Sequence, residues 1–279
     1  MLVRPRPMMA LCAELRDKYG LAVTYEDAPA DPATELDVEI VPRNGVRSLT
    51  PKRKPITFHI SSSLPTLAGS TASAGNTAAA DPSVALAAVQ DLADQYNKSG
   101  NPGQFSGTQD GSYLHVQQTA RMLAGKLQPF EPVSGTLLSW QPKPESCYRV
   151  LTDLSAVLAQ KGSFGLALGV LPSNLWMYPC SIDKESVTLR QVIDAIVAGL
   201  DTDPASGKKV TSSGYAEAWD LVYDANWNKY FLSFYPVRLD SLATAANADD
   251  ALPQAAASQA ASQKVPNRTG ASTSTRPPN

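Results

Sequence analysis

The chain has 279 residues, of which 43% are hydrophobic, enough to bury the core of one large domain or two ordinary ones. Its 24 basic and 26 acidic residues leave a formal charge of -2, so the overall charge favours neither a nucleic-acid partner nor an anionic membrane. No apolar run reaches the roughly 18 residues of a transmembrane helix. We therefore expect a globular protein without a membrane span.

Four segments repeat their apolar residues at the spacing of an amphipathic helix. The first runs from Met8 to Tyr19 and stops at Gly20, a residue that tolerates the positive φ of a helix C-terminus. The other three are predicted over 85–96, 150–158 and 189–200. Each is expected to bury one face.

Strand signals follow these helices at matching places. "LAVTY" (21–25) follows the first helix and "FGLALGV" (164–170) follows the third. A hairpin that turns at Asp110 and Gly111 is predicted after the second helix. A second hairpin, which turns around 226–228, is predicted after the fourth.

The order helix, strand, strand, helix, hairpin is predicted twice, with "PITFHI" (55–60) and "YPCSI" (178–182) as the second strands. We infer an internal duplication into two similar α+β modules, 1–120 and 121–239. In each module two helices are expected to pack on small mixed sheets that end in the β-hairpin.

Three segments have a composition that buries too little apolar surface to order itself. Segments 28–54 and 61–82 are predicted to be disordered insertions of the first module. Segment 240–279 lacks aromatic residues and strong periodicity, and is predicted to be a disordered C-terminal tail.

The first module resembles the short N-terminal domain shared by secretins and TonB-dependent outer-membrane receptors. The resemblance is carried by "RPMMALCAELRDKYGLAVTYED", "PITFHI", "VALAAVQDLADQY" and "GSYLHVQQ". The family strand pattern GLxVxY matches Gly20, Leu21, Val23 and Tyr25. Residues 1–238 are also similar to a group of uncharacterised bacterial proteins that begin with an "RP" helix and a "TYEDP" turn.

This resemblance implies a non-enzymatic protein-interaction module of the bacterial cell envelope. Its partner would be another envelope protein. A third possibility is a structural module that docks on a larger assembly by strand addition, since open sheet edges are natural sites for such pairing. The N-terminal "MLVRPRPMMALCAEL" is not a convincing signal peptide, so a periplasmic location requires a true start upstream of Met1. With Met1 as the true start, the cytoplasm is expected.

No convergent catalytic, metal-binding or cofactor-binding set is predicted, since Gly-x-Ser-x-Gly and phosphate-binding glycine motifs do not occur. His59 and His115 lie in alternating stretches and are interpreted as sheet residues in preference to a metal pair. Adjacent carboxylates in a strand point to opposite faces, so Glu26 and Asp27 are interpreted as a strand-exit turn in preference to a functional lip. The alternative function is a hydrolase-type enzyme with a site dispersed around Glu26, Asp27 and His59.

Aromatic residues concentrate in the last predicted hairpin. Core packing and cross-strand pairs are the favoured interpretation, and an exposed aromatic ribbon for a partner is the alternative. The candidate interaction surface consists of Trp219, Tyr223, Trp227, Tyr230 and Tyr235.

The three cysteines are too few and too scattered for a disulfide scaffold or a Cys-x-x-Cys metal site. Cys12 and Cys147 fall on predicted helix faces, where a buried cysteine behaves as a small hydrophobe. A bridge from Cys147 to Cys180 stays open for an exported protein.

Overall fold

The computed structural model describes residues 6–29, 38–43, 46–51, 56–64, 82–111, 113–123, 125–138, 145–161, 164–173, 175–180, 186–200, 215–224 and 227–238. Its helices are α1 (Pro7–Tyr19), α2 (Pro82–Lys98), α3 (Cys147–Lys161) and α4 (Leu189–Leu200). Each coincides with a predicted helix, and Gly20 ends α1 with a φ of 61°.

The described strands form one large sheet and three short pairs. The large sheet contains β1 (Val23–Glu26), β4 (Gln104–Asp110), β5 (Tyr113–Leu123), β6 (Lys126–Pro129), β9 (Gly165–Leu168), β12 (Tyr215–Asp224) and β13 (Lys229–Arg238). The short pairs are β2 (Val38–Arg43) with β3 (Val46–Pro51), β7 (Leu137–Leu138) with β11 (Val187–Thr188), and β8 (Glu145–Ser146) with β10 (Pro179–Cys180). A 3-10 helical turn lies at Val133–Gly135.

Both predicted hairpins are confirmed. In the first, Asp110 pairs with Tyr113 across a turn in which Gly111 has a φ of 58°. In the second, Asp224 pairs with Lys229, and Asn228 has a φ of 48°. Both residues occupy the left-handed region that such turns require, which glycine and asparagine enter at low cost.

The predicted strand at 55–60 is wrong, because residues 56–60 have no regular secondary structure. Its alternating pattern has another cause: Ile56, Phe58 and Ile60 pack against the core beside α1 and α2. The amide of Gln95 on α2 bonds the backbone N–H and carbonyl of His59, so this segment satisfies those groups without a strand partner. Of the other predicted second strand, 178–182, β10 covers Pro179–Cys180, and residues 181 and 182 lie outside the described residues.

The predicted disorder of segment 28–54 is wrong for 38–43 and 46–51, since β2 and β3 pair there as an antiparallel hairpin. Most of segment 61–82 and the whole of segment 240–279 lie outside the described residues. Among the residues that are described, none of the helices has both the length and the apolar character needed to cross a bilayer.

The main strand order is β4-β5-β1-β12-β13-β9, so strands from both halves of the chain share one sheet. The short strand β1 lies between β5 and β12 and is parallel to both, with Tyr25 beside Val116 on one side and Asp220 on the other. The halves 1–120 and 121–239 are therefore joined edge to edge.

Helices cover both faces of this sheet. α1 and α2 enclose one core with Leu114 and Val116 of β5. α3 and α4 enclose a second core with Trp219 and Leu221 of β12. The architecture is a mixed sheet between two helix pairs, which confirms the α+β class at this level.

A buried ion pair ties α1 to β12 across the first of these faces. The Arg16 guanidinium donates to both carboxylate oxygens of Asp220, at 2.7 and 2.9 Å, and to the carbonyl of Val23 at 3.0 Å. The side chains of Arg16 and Asp220 are only 4% and 0% exposed. Since the two residues are 204 positions apart, this pair connects the two halves of the chain.

We expect the Asp220→Ala substitution to lower the free energy of unfolding by about 3 to 5 kcal/mol, because it leaves the Arg16 charge buried without its carboxylate partner. Urea denaturation followed by circular dichroism measures the change. Glu14→Ala is the matched control, since the pair of Glu14 with Lys18 is exposed to solvent and should contribute little. Equal losses in the two variants would contradict the prediction.

Candidate functional site

Core packing, the favoured interpretation of the aromatic residues in the last hairpin, is confirmed for three of the five residues of the candidate interaction surface, and the alternative of an exposed ribbon is wrong for these three. Trp219, Tyr223 and Tyr230 are buried, because alternation along β12 and β13 turns them towards the core beneath α3 and α4. Their polar atoms are also engaged: the Trp219 indole donates to Asp194 at 2.9 Å, and the Tyr230 hydroxyl donates to the Asp27 carbonyl at 3.1 Å. These side chains are not accessible to a partner.

The remaining two residues differ from each other. Tyr235 is half-buried, and the Arg16 guanidinium lies 4.8 Å from its ring centroid. Trp227 stands in the turn between β12 and β13 and is 67% exposed. Only Trp227 of the predicted surface is therefore free of a core role.

Further exposed apolar side chains follow β9. Val170, Trp176 and Met177 are 59%, 61% and 71% exposed. The Trp176 ring packs on Tyr148 with centroids 4.6 Å apart, which holds it in place at the surface. Trp227 lies towards the other end of β9, because the Gly165 amide donates to the carbonyl of the neighbouring Asn228. We call Val170, Trp176, Met177 and Trp227 the edge patch.

The backbone of β9 has one side towards β13 and one side away from it. The Gly165 amide donates to the carbonyl of Asn228, just before β13, and the Gly169 amide donates to that of Leu232 in β13. The amides of Leu166 and Leu168 therefore point outwards. Ser155 of α3 donates to the Leu166 carbonyl at 2.5 Å and covers that end. The described residues place no further strand beyond β9, which leaves the outward groups of Leu168 at an open edge.

The acidic pair lies at the strand exit, as predicted, because β1 ends at Glu26, and both carboxylates are buried, so they do not form an open lip. Glu26 accepts hydrogen bonds from the backbone amide of Ser134 at 2.9 Å and from its hydroxyl at 2.5 Å. Asp27 accepts from Arg6 at 2.8 Å and from the Tyr25 hydroxyl. Burial raises the pKa of the Glu26 carboxyl, against the hydrogen bonds from Ser134.

The hydrolase hypothesis finds no support in these positions. His59 is exposed and bonded through its backbone to Gln95, whereas Glu26 and Asp27 are held by Ser134 and Arg6. The contacts of each residue go to different partners, and both carboxylates are closed to solvent.

Polar side chains continue on the sheet face beneath α4. Arg190 of α4 donates to the Gln117 side chain of β5 at 2.5 Å and to the Ser134 hydroxyl at 2.9 Å. Ser134 therefore links the Arg190 guanidinium to the Glu26 carboxylate. This chain of bonds compensates the desolvation of both charges.

A second polar group lies beside it, where the β4–β5 hairpin meets α4. His115 is 1% exposed, and its Nδ1 lies 2.7 Å from the Thr24 hydroxyl, while its Nε2 has no hydrogen-bond partner. One ligand atom each of Asp110, His115 and Asp194 lie within 4.8 Å of one another. We call these three residues the Asp-His-Asp cluster.

The electrostatics of the cluster follow from its burial. Desolvation, with a smaller effect of the Arg190 charge, lowers the pKa of His115 to about 3, so its imidazole is neutral at pH 7. Desolvation raises the pKa of Asp194 to about 6, although the hydrogen bond from Trp219 and the Arg190 charge lower it. A neutral imidazole beside two carboxylates is a set of electron-pair donors.

The sequence indicated His115 as a sheet residue and Asp110 as a turn residue, and it gave no role to Asp194, Arg190 or Ser134. The only local signal was Asp110 and His115 on opposite sides of one predicted hairpin. Asp194 joins them only in the folded chain, where α4 brings its carboxylate within 4.8 Å of the ligand atoms of the other two. Asp194 and Asp110 are 84 positions apart in the sequence.

The three cysteines are buried thiols. Those of Cys147 and Cys180 hydrogen-bond to each other, which raises the pKa of the Cys147 thiol and lowers that of Cys180. The pairing of β8 with β10 brings them together, with the Cys147 amide bonded to the Tyr178 carbonyl at 2.9 Å.

The chain was compared with protein-family models, with curated proteins and with solved structures, and none of the three comparisons gave a match.

We expect Glu26→Ala to destabilise the fold by about 1 to 3 kcal/mol, because it leaves the Ser134 amide and hydroxyl without their buried acceptor. Glu26→Gln keeps one acceptor oxygen and should cost less. Combined with Ser134→Ala in a double-mutant cycle, Glu26→Ala should show a coupling energy above about 0.5 kcal/mol by urea denaturation. If the effects of the two substitutions on the free energy of unfolding simply add, the contact between Glu26 and Ser134 is not formed.

We expect diamide oxidation of the folded protein to join Cys147 and Cys180, because their thiols are already in contact. Thiol titration in denaturant should then find only Cys12 reactive, where all three cysteines react before oxidation. Cys180→Ser is the control. Its two remaining thiols should form no bridge within the chain, so both should still react after diamide treatment. A bridge that includes Cys12 would contradict the structure.

Proposed function

We propose that the protein is a non-enzymatic protein-interaction module of the bacterial cell envelope, which binds another envelope protein by strand addition at β9. The observation that supports this function best is the open edge of β9 with exposed large apolar side chains at both of its ends. Large apolar side chains left exposed beside an open strand edge are consistent with an interaction surface.

We further propose that the chain consists of two duplicated modules similar to the short N-terminal domain of secretins and TonB-dependent receptors. The strand order supports this, since it reads β4-β5-β1 and then β12-β13-β9. In each half, the second strand of a hairpin pairs in parallel with the strand that follows the half's first helix, as β5 does with β1 and β13 with β9. If the strands of the first half are shifted along the sheet, their order thus reproduces the strand order of the second half.

The repeated order also suggests how a partner would bind. The outer edge of β1 is occupied by β12, which runs parallel to it. The equivalent edge of β9 carries no strand among the described residues. A partner strand at β9 would therefore occupy the position that β12 occupies beside β1, and would bond the outward amide and carbonyl of Leu168.

Side chains of the edge patch would supply the specificity of this contact. Trp176 and Met177 lie beyond the end of β9, and Trp227 lies near its start. Buried tryptophans contribute disproportionately to binding energy at interfaces. The partner is therefore expected to present an extended segment with apolar side chains at both ends.

The test is affinity capture with the full chain from envelope and cytosolic extracts in parallel. Leu168→Pro removes the outward amide, and the Trp176→Ala, Met177→Ala double variant removes apolar contacts. We expect each to reduce recovery of the partner at least about tenfold, equivalent to about 1.4 kcal/mol. Leu168→Ala controls for lost packing, and Leu127→Ala controls for an exposed apolar residue on β6, away from β9.

The proposal is supported when the wild type and both controls capture a partner from the envelope extract, and the edge variants, Leu168→Pro and the Trp176→Ala, Met177→Ala double variant, do not. It is overturned when that partner binds the edge variants unchanged, when no partner is recovered in repeated trials, or when only a second copy of the chain is recovered. Circular dichroism of each variant separates loss of binding from loss of fold.

A further inference from the structure

The Asp-His-Asp cluster lies on one face of the β4–β5 hairpin. Thr108 pairs with His115 and Asp110 pairs with Tyr113, so alternate residues of β4 and β5 direct their side chains to the same side. Helix α4 adds Asp194 to that side. Three residues with metal-binding side chains thus converge from three elements.

The unsatisfied nitrogen of His115 distinguishes this cluster from an ordinary group of acidic residues. Buried polar atoms are almost always hydrogen-bonded, and an exception calls for an explanation. Because Nδ1 is engaged by the Thr24 hydroxyl, Nε2 is the nitrogen that remains available to a ligand. The Thr24 hydroxyl oxygen can accept a hydrogen bond from Nδ1–H of His115. This bond would fix the tautomer in which Nε2 carries the lone pair.

Two other groups beside the cluster would support a bound ion. Trp219 donates to one oxygen of Asp194 at 2.9 Å, which orients this carboxylate as a neighbouring donor does for a metal ligand. The hydroxyl of Thr108, which lies opposite His115 on the same face, is also buried without a hydrogen-bond partner. It could bond a water molecule that completes the coordination of an ion.

We propose that Asp110, His115 and Asp194 bind a divalent transition-metal ion of the Zn²⁺ type. One imidazole with two carboxylates suits borderline ions that accept nitrogen and oxygen ligands, and is too poor in sulfur for a soft ion. Three protein ligands leave coordination positions for water. This proposal does not depend on the interaction function, because the β4–β5 hairpin and β9 lie at opposite ends of the main strand order.

Two features set limits on the affinity. Ligand atoms about 2.1 Å from an ion lie about 3 to 4 Å from one another, so atoms within 4.8 Å must move closer by about 1 Å. The exposed side chain of Asp110 can make this movement. The positive charge of Arg190 repels the metal ion. Its bonds to Gln117 and Ser134 hold the guanidinium in place. We therefore expect weaker binding than in a four-ligand structural zinc site.

The test is calorimetric titration of the full chain with Zn²⁺ after removal of metals by chelator. We expect Asp110→Asn and Asp194→Asn each to weaken binding at least about tenfold, a loss of the size seen when a metal site is disturbed. Asp110 is exposed, so its substitution should leave the melting temperature of the metal-free protein unchanged. Asp153→Asn, at an exposed position on α3, is the control and should bind like the wild type.

Imidazole NMR adds a measurement within the same molecule, since the chain contains only His59 and His115. Zn²⁺ should shift the His115 resonances and leave those of the exposed His59 in place. The proposal is overturned when Zn²⁺ does not bind at millimolar concentration, when the His59 resonances are the ones that shift, or when the aspartate variants bind as tightly as the wild type.

Discussion

The short strand β1 is the element on which the rest of the sheet depends. All four of its side chains are buried, and its two edges hold β5 from the first half of the chain and β12 from the second. A strand with both edges and both faces occupied has no freedom to slip, because a shift by one residue would move every side chain to the wrong face. The ion pair of Arg16 with Asp220 fixes the same junction from the side of α1.

The position of β1 also explains why polar residues lie inside the protein. Val23 and Tyr25 face the core beside α1 and α2, so alternation turns Thr24 and Glu26 towards the opposite face. There Thr24 meets His115 and Glu26 meets Ser134, and the charge of Arg190 lies nearby. Burial of these groups is tolerated because most of their polar atoms find partners, although Nε2 of His115 and Nε of Arg190 do not.

Local periodicity predicted the helices and both hairpins well, since these elements depend on neighbours in sequence. It failed at "PITFHI", where alternation reflects packing against helices instead of strand pairing. It also could not reveal that Glu26 is buried, because Ser134 is 108 residues away. The aromatic residues of the last hairpin were placed on the correct strands, but the face that α4 covers follows only from the order of the whole sheet.

The two ends of the main strand order differ in how their polar groups are satisfied. At the β4–β5 end, α4 brings Asp194 close to the hairpin, where the buried Nε2 of His115 and hydroxyl of Thr108 lack hydrogen-bond partners, a situation that a small ion and water can resolve. At the β9 end, the outward amide and carbonyl of Leu168 have no strand partner among the described residues and lie between exposed tryptophans, a situation that another chain can resolve. An ion needs only three side chains that converge, whereas a partner strand needs a continuous edge. The same sheet therefore provides two sites of different chemistry, and a substitution at one should leave the other intact.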